Sequence, residues 1–184
     1  LDAEVVDQVE LELQRLTPER AARDADEVHD LLRVLGPLGA DELRVRVTEA
    51  ALPALDDWLT QLLETRRVIQ VGVAGEQRVA AAEDAARLRD ALGVAIPVGL
   101  PVAFTDPVDT PLRDLVERFA RTHGPFTTAQ LAARVGLGQE VVRLALADLA
   151  ANGRVVEGEF RPGGREREWI DAEVLRQIRR RSLA

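Results

Sequence analysis

Apolar residues recur every three or four positions along several segments of the chain, the spacing of one face of an α-helix. Residues 24–35 show this pattern, and Gly36-Pro37 ends the predicted helix because proline cannot continue one. A short helix over 40–47 and a longer helix over 53–65 follow. The pattern then changes to that of two β-strands joined by a turn, over 67–73 and 77–82, and a helix over 84–92 completes the unit.

This order of elements repeats 88 residues later. Residues 35–43 (LGPLGADEL) correspond to residues 123–131 (HGPFTTAQL), and later apolar positions match with a slip of one residue. Pro162-Gly163-Gly164 has the composition of a turn between two strands. The second copy therefore predicts helices over 110–122, 128–135, 138–151 and 171–181, with strands over 154–161 and 165–170.

A helix, a short helix, a third helix and a two-stranded hairpin follow one another in a winged helix-turn-helix. We therefore expect a mainly α protein with small β-hairpins (α+β), built as two tandem winged-helix domains. The predicted divisions are an N-terminal helix and linker (1–22), winged helix 1 (23–93), a proline-rich linker (94–108) and winged helix 2 (109–184). We expect the linker to pack on a domain through Val98, Leu100 and Phe104.

Composition removes most catalytic chemistry from this segment. It has no cysteine, no lysine and only two histidines, so it lacks a thiolate site, a Walker lysine and a three-histidine zinc centre. We expect no enzyme activity, no metal site and no cofactor here. The chain begins at Leu1 with an acidic helical pattern, which is not that of a signal peptide. We expect a fragment of a longer cytoplasmic protein, with no membrane span.

We interpret three aromatic residues as structural and not as catalytic or metal-binding. Trp58 lies on the apolar face of its helix, which favours a core or interface position over a functional one. His29 is expected to be solvated or to cap a helix, although a metal pair with Asp26 or Asp30 is the alternative. His123 is expected to bond to the end of the preceding helix, where a cation is favoured.

Charge separates the two halves. Residues 1–106 contain 21 acidic residues and 11 arginines, a net charge of −10, whereas residues 107–184 have a net charge of +2. DNA contact is therefore expected only in the second copy, because the third helix of the first copy carries Asp56, Asp57 and Glu64. In the second copy, candidate DNA-contacting residues lie around the second helix, the third helix and the wing. They are Thr127, Thr128, Arg134, Gln139, Arg143, Arg161, Arg165 and Arg167.

Most of the chain also resembles a known family, through residues 24–36, the HGPF motif at 123–126 and three motifs further along. GEFRPGG at 158–164, EWIDAEVL at 168–175 and RRRSLA at 179–184 resemble the bacterial large helicase-related proteins (Lhr). The resemblance implies that the parent protein is an ATP-dependent 3′–5′ DNA helicase of superfamily 2, tied to DNA repair. The chain would then be part of the tandem winged-helix array behind the motor. The Mg-ATP site and a β-barrel would lie outside it.

Two functions are consistent with these observations. In the first, the module is non-catalytic and contacts or guides DNA for the rest of the helicase chain. In the second, it is a structural scaffold or a homo-oligomerisation module that does not touch DNA.

Overall fold

A computed structural model describes residues 1–183 of the chain. Its contacts divide the chain into two compact units, one formed by Arg15–Leu112 and the other by Leu1–Gln14 together with the residues from Arg113 onward. Within the described residues, the helices are α1 (Ala3–Leu13), α2 (Ala25–Leu35), α3 (Ala40–Arg44), α4 (Leu55–Glu64), α5 (Ala85–Leu92), α6 (Pro111–Arg121), α7 (Thr128–Val135), α8 (Gln139–Ala151) and α9 (Ala172–Ser182). The strands are β1 (Val68–Val73), β2 (Glu76–Ala81), β3 (Val155–Gly158) and β4 (Glu168–Asp171).

The unit Arg15–Leu112 buries the apolar stripe of α2 against α4 and the first hairpin. Val28, Leu32 and Leu62 are at most 1% exposed in this core. Asp24 caps α2 by accepting a hydrogen bond from the Glu27 amide, and Gly36 ends the helix at a φ of 84°. Trp58 packs on this core while half-buried, so its interpretation as a core aromatic is confirmed.

The first hairpin pairs β1 with β2 in antiparallel register, with Val73 opposite Glu76. Its two-residue turn uses Ala74 and Gly75, both at positive φ, as a tight hairpin turn of this length requires. Leu38, in the loop before α3, extends the sheet by exchanging backbone hydrogen bonds of 3.0 and 2.8 Å with Val79.

The second copy repeats these connections. Phe126, which is 88 positions after Leu38, exchanges backbone hydrogen bonds of 3.0 and 2.7 Å with Trp169 of β4. The amide of Arg67 donates to the carbonyl of Leu62, and that of Arg154 donates to that of Leu149, both at 2.9 Å. The predicted α+β fold of two tandem winged helices is confirmed.

The N-terminal helix belongs to the same compact unit as the second winged helix. Asp2 caps α1, and Val6 and Val9 are buried against Ile170, Val174 and Ile178. The amphipathic pattern of α1 thus reflects packing on α9.

The strands of the second hairpin are shorter than predicted. Hydrogen bonding explains the difference, because the amides of Phe160 and Arg161 donate to the carboxylate of Glu168 at 3.1 and 3.0 Å instead of continuing the ladder. The turn itself is confirmed: the Gly164 amide donates to the carbonyl of Arg161, and Gly163 has a φ of 75°. Proline at the second position and a positive-φ glycine at the third are typical of a type II turn.

Three further expectations are corrected. The helix predicted over 40–47 ends at Arg44, because the backbone around Val47 pairs instead with Ala22. The helix predicted from residue 53 starts at Leu55, after a 3₁₀ segment over Glu49–Ala54 that contains Pro53. In the linker, Val98 is 90% exposed and does not pack as expected; its carbonyl instead accepts a hydrogen bond from Arg66 at 2.7 Å.

Candidate nucleic-acid interface

Two threonines fix the start of α7. The Thr127 hydroxyl accepts a hydrogen bond from the Gln130 amide, and the Thr127 amide donates to the Gln130 side chain at 2.8 Å, forming a capping box. The Thr128 hydroxyl accepts a hydrogen bond of 2.9 Å from the indole nitrogen of Trp169. Arg134 is half-buried in the last turn of α7. Thr127 and Thr128 therefore make hydrogen bonds within the fold, and Arg134 is partly buried.

Helix α8 presents its polar N-terminal half to solvent. Val142, Leu146 and Leu149 are fully buried beneath it, as the repeat predicts. Gln139 and Arg143 are exposed. The sequence did not single out two exposed apolar residues on the same helix, Val141 at 49% and Leu144 at 56%.

Glu157 of β3 forms an ion pair with an arginine of the wing. Its carboxylate lies 3.3 Å from the guanidinium of Arg167. The pKa of Arg143 is raised mainly by its hydrogen bond to Glu140, then by the charge of Glu140, with Glu157 as a further contribution. Helix α8 packs against β3, so Arg143 and the Glu157–Arg167 pair belong to neighbouring elements.

Both of these arginines have a carboxylate partner. Arg143 makes a two-point contact with Glu140, with N–O distances of 2.9 and 2.6 Å. The same contact holds the pKa of the Glu140 carboxyl below its usual value. At neutral pH the exposed end of α8 therefore carries balanced rather than purely positive charge.

The two remaining wing arginines differ from each other. Arg165 is exposed and has no hydrogen-bond or ion-pair partner within residues 1–183. Arg161 is half-buried: it donates to Glu10 of α1 at 3.2 Å and to the carbonyl of Pro125 at 2.9 Å, and its Nε lies 3.4 Å from Glu168. Arg161 therefore ties the base of the wing to α1 and lies apart from the exposed group.

The corresponding helix of the first copy is acidic. Asp56, Asp57 and Glu64 are exposed on α4, which is consistent with the expectation that this face does not approach phosphate.

The expectation that His29 is solvated or a cap is wrong. The residue is 9% exposed, and its Nε2 lies 2.9 Å from Glu83 while its Nδ1 faces the guanidinium of Arg67 at 3.2 Å. Because the guanidinium can only donate, Nδ1 accepts and Nε2 carries the proton toward Glu83. His123 is at the end of α6 as predicted, bonded through Nδ1 to the Phe119 carbonyl at 2.7 Å and stacked on the Phe119 ring.

No group of three His, Asp or Glu side chains in residues 1–183 is placed to hold a metal ion. No helix in that part of the chain has the length and apolar content needed to cross a membrane.

Sequence reasoning missed the carboxylate that pairs with Arg167 and a further basic surface on α9. The pairing of Glu157 with Arg167 depends on the register of the wing and has no local signal. The α9 surface does have a local sequence signal, since arginines at 176, 179 and 180 have the spacing of one helix face.

Each unit thus contains three helices followed by a wing, which defines the chain as a tandem winged-helix protein. The sequence model of the large helicase-related protein, winged-helix domain, matches residues 1–107, more than half of the chain. The chain belongs to this family, the Lhr proteins.

Two relatives match along the whole chain. It is 49% identical over 184 residues to the Lhr helicase/probable uracil glycosylase of Mycolicibacterium smegmatis. It is 40% identical over 183 residues to the Lhr helicase/uracil glycosylase of Escherichia coli K12. The chain spans only 12% and 11% of the lengths of these relatives.

Proposed function

We propose that this chain is a non-catalytic module of an Lhr-type helicase and that its second winged helix contacts DNA. The observation that carries the proposal is that Arg143 of α8 and Arg165 and Arg167 of the wing are all exposed within the same compact unit. A helix and a wing that present cations on one side can bind a groove and its flanking backbone together.

The residues of this surface suit different parts of DNA. Gln139 and Arg143 lie in the N-terminal half of α8, from which a winged helix reaches base edges, and their side chains match adenine and guanine respectively. Arg165 and Arg167 are exposed on the wing and are suited to phosphate contacts. At α7, Thr127, Thr128 and Arg134 would contact the DNA backbone. Arg161 would act only by holding the wing in place.

Glu140 and Glu157 set the strength of this contact. DNA must compete with these carboxylates, which now pair with Arg143 and Arg167. Binding should therefore be moderate and have a shallow salt dependence, because the slope of log K against log salt is proportional to the number of phosphate contacts, and this surface makes few.

The module would serve a motor outside this chain. ATP hydrolysis with Mg²⁺, strand separation and a role in DNA repair would belong to the parent protein, and the winged helices would hold or guide DNA behind the motor. Its partners would then be DNA and the rest of the helicase chain.

A salt-dependent titration tests the proposal. The 184-residue chain is titrated against a labelled DNA duplex between low and physiological salt, and log K should fall linearly with log salt. Arg165→Gln should weaken binding and reduce the slope by about one, whereas Arg143→Gln should weaken binding and relax base preference. Arg44→Gln is the matched control, because Arg44 makes the same i,i+3 ion pair as Arg143 but lies in the first winged helix. Equal affinity for all three variants would contradict the proposal.

A second function is favoured by Val141 and Leu144, the exposed apolar residues of α8. If α8 packs on another protein or a second copy, the module is a scaffold that does not touch DNA. Sedimentation equilibrium of the wild type and of Leu144→Gln distinguishes the two: a mass that rises with concentration and falls in the variant supports the scaffold.

A further inference from the structure

Helix α9 has a solvent face with three arginines and one glutamate. Arg176 and Arg180 both pair with Glu173, at 2.7 and 3.5 Å, and their side chains are 60% and 65% exposed. Arg179 is also exposed and has no ion-pair partner within residues 1–183. The Glu173 carboxylate therefore pairs with two guanidinium groups, and the guanidinium of Arg179 has no carboxylate partner within residues 1–183.

The opposite face of α9 fixes this surface in place. Val174, Leu175 and Ile178 are buried against α1, and Asp171 caps the helix by accepting from two backbone amides. Arg181, the fourth arginine of the helix, is held by Glu12 at 2.9 Å. The three solvent-facing arginines thus project from a rigid, packed helix.

The charge balance distinguishes this face from the α8 and wing surface. There, Arg143, Arg165 and Arg167 are accompanied by Glu140 and Glu157, and both paired arginines have a carboxylate of their own. On α9, within residues 1–183, the carboxylate that pairs with Arg176 and Arg180 is that of Glu173. The α9 face carries the larger positive excess although the chain has a net charge of −8.

We propose that Arg176, Arg179 and Arg180 form a second nucleic-acid contact that binds the phosphate backbone. The residues are spaced i, i+3 and i+4, so they lie within about 6 Å along the helix axis, a span that reaches neighbouring phosphates of one strand. Guanidinium groups bind phosphate oxygens in a two-point geometry. The contact is to the backbone alone, and it contributes affinity without sequence preference.

A membrane surface fits this helix less well. Amphipathic helices bind bilayers by burying their apolar face among the lipids. The apolar face of α9 is already covered by Val6 and Val9 of α1, so the helix has only its charged face to offer. Nucleic acid is the polyanion that this rigid charged face fits.

The inference rests on the proposed function in taking nucleic acid as the partner, but it involves different residues. The test compares three variants of the full 184-residue chain. The first is Arg176→Gln/Arg179→Gln/Arg180→Gln. The second is Arg143→Gln/Arg165→Gln/Arg167→Gln. The third removes the same number of charges from the first winged helix, Arg23→Gln/Arg33→Gln/Arg44→Gln, all exposed and ion-paired.

Each variant is titrated with a labelled DNA duplex of random sequence and with poly-glutamate, at several salt concentrations, after circular dichroism has shown native helix content. The α9 variant should bind DNA at least tenfold more weakly than wild type at low salt. Its salt slope should fall by about 2.7, since three phosphate contacts are removed and each contributes about 0.9. The Arg23/Arg33/Arg44 variant should keep the wild-type slope.

The outcomes separate the two proposals. DNA binding by the α9 variant equal to wild type, with weaker binding by the Arg143/Arg165/Arg167 variant, overturns this inference and leaves the proposed function standing. The reverse result supports the inference and contradicts the α8 and wing site. No DNA binding by wild type at low salt overturns both. Equal affinity for poly-glutamate and DNA would show a general polyanion surface and overturn the claim for nucleic acid.

Discussion

The indole nitrogen of Trp169 donates a 2.9 Å hydrogen bond to the hydroxyl of Thr128. The backbone of Trp169 also pairs with Phe126, just before the same helix. One residue of β4 therefore holds the start of α7 by both its side chain and its main chain. Because Trp169 is 5% exposed, water cannot readily replace Thr128 as its partner.

Replacing Thr128 with valine should destabilise the second winged helix. Valine keeps the shape of the side chain but leaves the buried indole N–H without an acceptor, which costs about 1–3 kcal/mol. Thr128→Ser is the control and should stay close to wild type, since it retains the hydroxyl. Urea unfolding followed by Trp169 fluorescence in a Trp58→Phe background measures the difference. Equal midpoints for the valine and serine variants would contradict this account.

Truncation of two leucines of α8 should change the free energy of unfolding by very different amounts. Leu146 is fully buried, so Leu146→Ala should cost about 2–5 kcal/mol through lost burial and the cavity left behind. Leu144, two residues earlier, is 56% exposed, and Leu144→Ala should change the free energy of unfolding by less than about 0.5 kcal/mol. Thermal unfolding by circular dichroism tests both, and a large loss for Leu144→Ala would mean that this face of α8 is covered.

Local signals predicted much of the fold. Thr127 and Gln130 form a capping box with the spacing that predicts a helix start. Pro162 and Gly163 identified the wing turn, because each restricts or extends φ in the way that turn requires. The apolar stripe of α8 gave its buried face.

Long-range pairing could not be predicted in the same way. His29 was expected in solvent because it lies beside the apolar stripe, but Glu83, 54 residues away, supplies a partner that permits burial. In the second copy Glu117, 88 positions after His29, takes this place and pairs with Arg154 at 3.0 Å. Arg161 looked like a wing cation, yet Glu10, 151 residues away, holds it. Such pairs depend on tertiary packing and leave no periodic signal.

The N-terminal helix should contribute to the stability of the second winged helix. Val9 is fully buried between α1 and α9, so Val9→Ala should lower the free energy of unfolding by about 1.5–3 kcal/mol. Trp169 fluorescence in the Trp58→Phe background reports on this unit. Gln8 is exposed on the same helix, and Gln8→Ala should leave the unfolding midpoint unchanged. A Val9→Ala midpoint equal to that of wild type would show that α1 does not pack on α9 in solution.

The Glu140–Arg143 pair should have a measurable effect on pH titration. The hydrogen bond from Arg143 holds the pKa of Glu140 below its usual value, so Arg143→Gln should raise that pKa toward the usual value. A lowered folded-state pKa means that the pair stabilises the fold above the unfolded-state pKa and that this contribution is lost as pH falls through the folded-state pKa. Side-chain carboxyl NMR measures the titration.

Glu27 provides the internal control for this experiment, because its pKa is also lowered, by Arg23. It should titrate at the same pH in wild type and in Arg143→Gln. If DNA competes with Glu140 for Arg143, saturating duplex should raise the pKa of Glu140 in the wild type as well, since the bound base edge takes its partner and the DNA phosphates add negative charge nearby. A Glu140 pKa that stays low in the presence of bound DNA would show that Arg143 keeps its carboxylate partner and does not contact the nucleic acid.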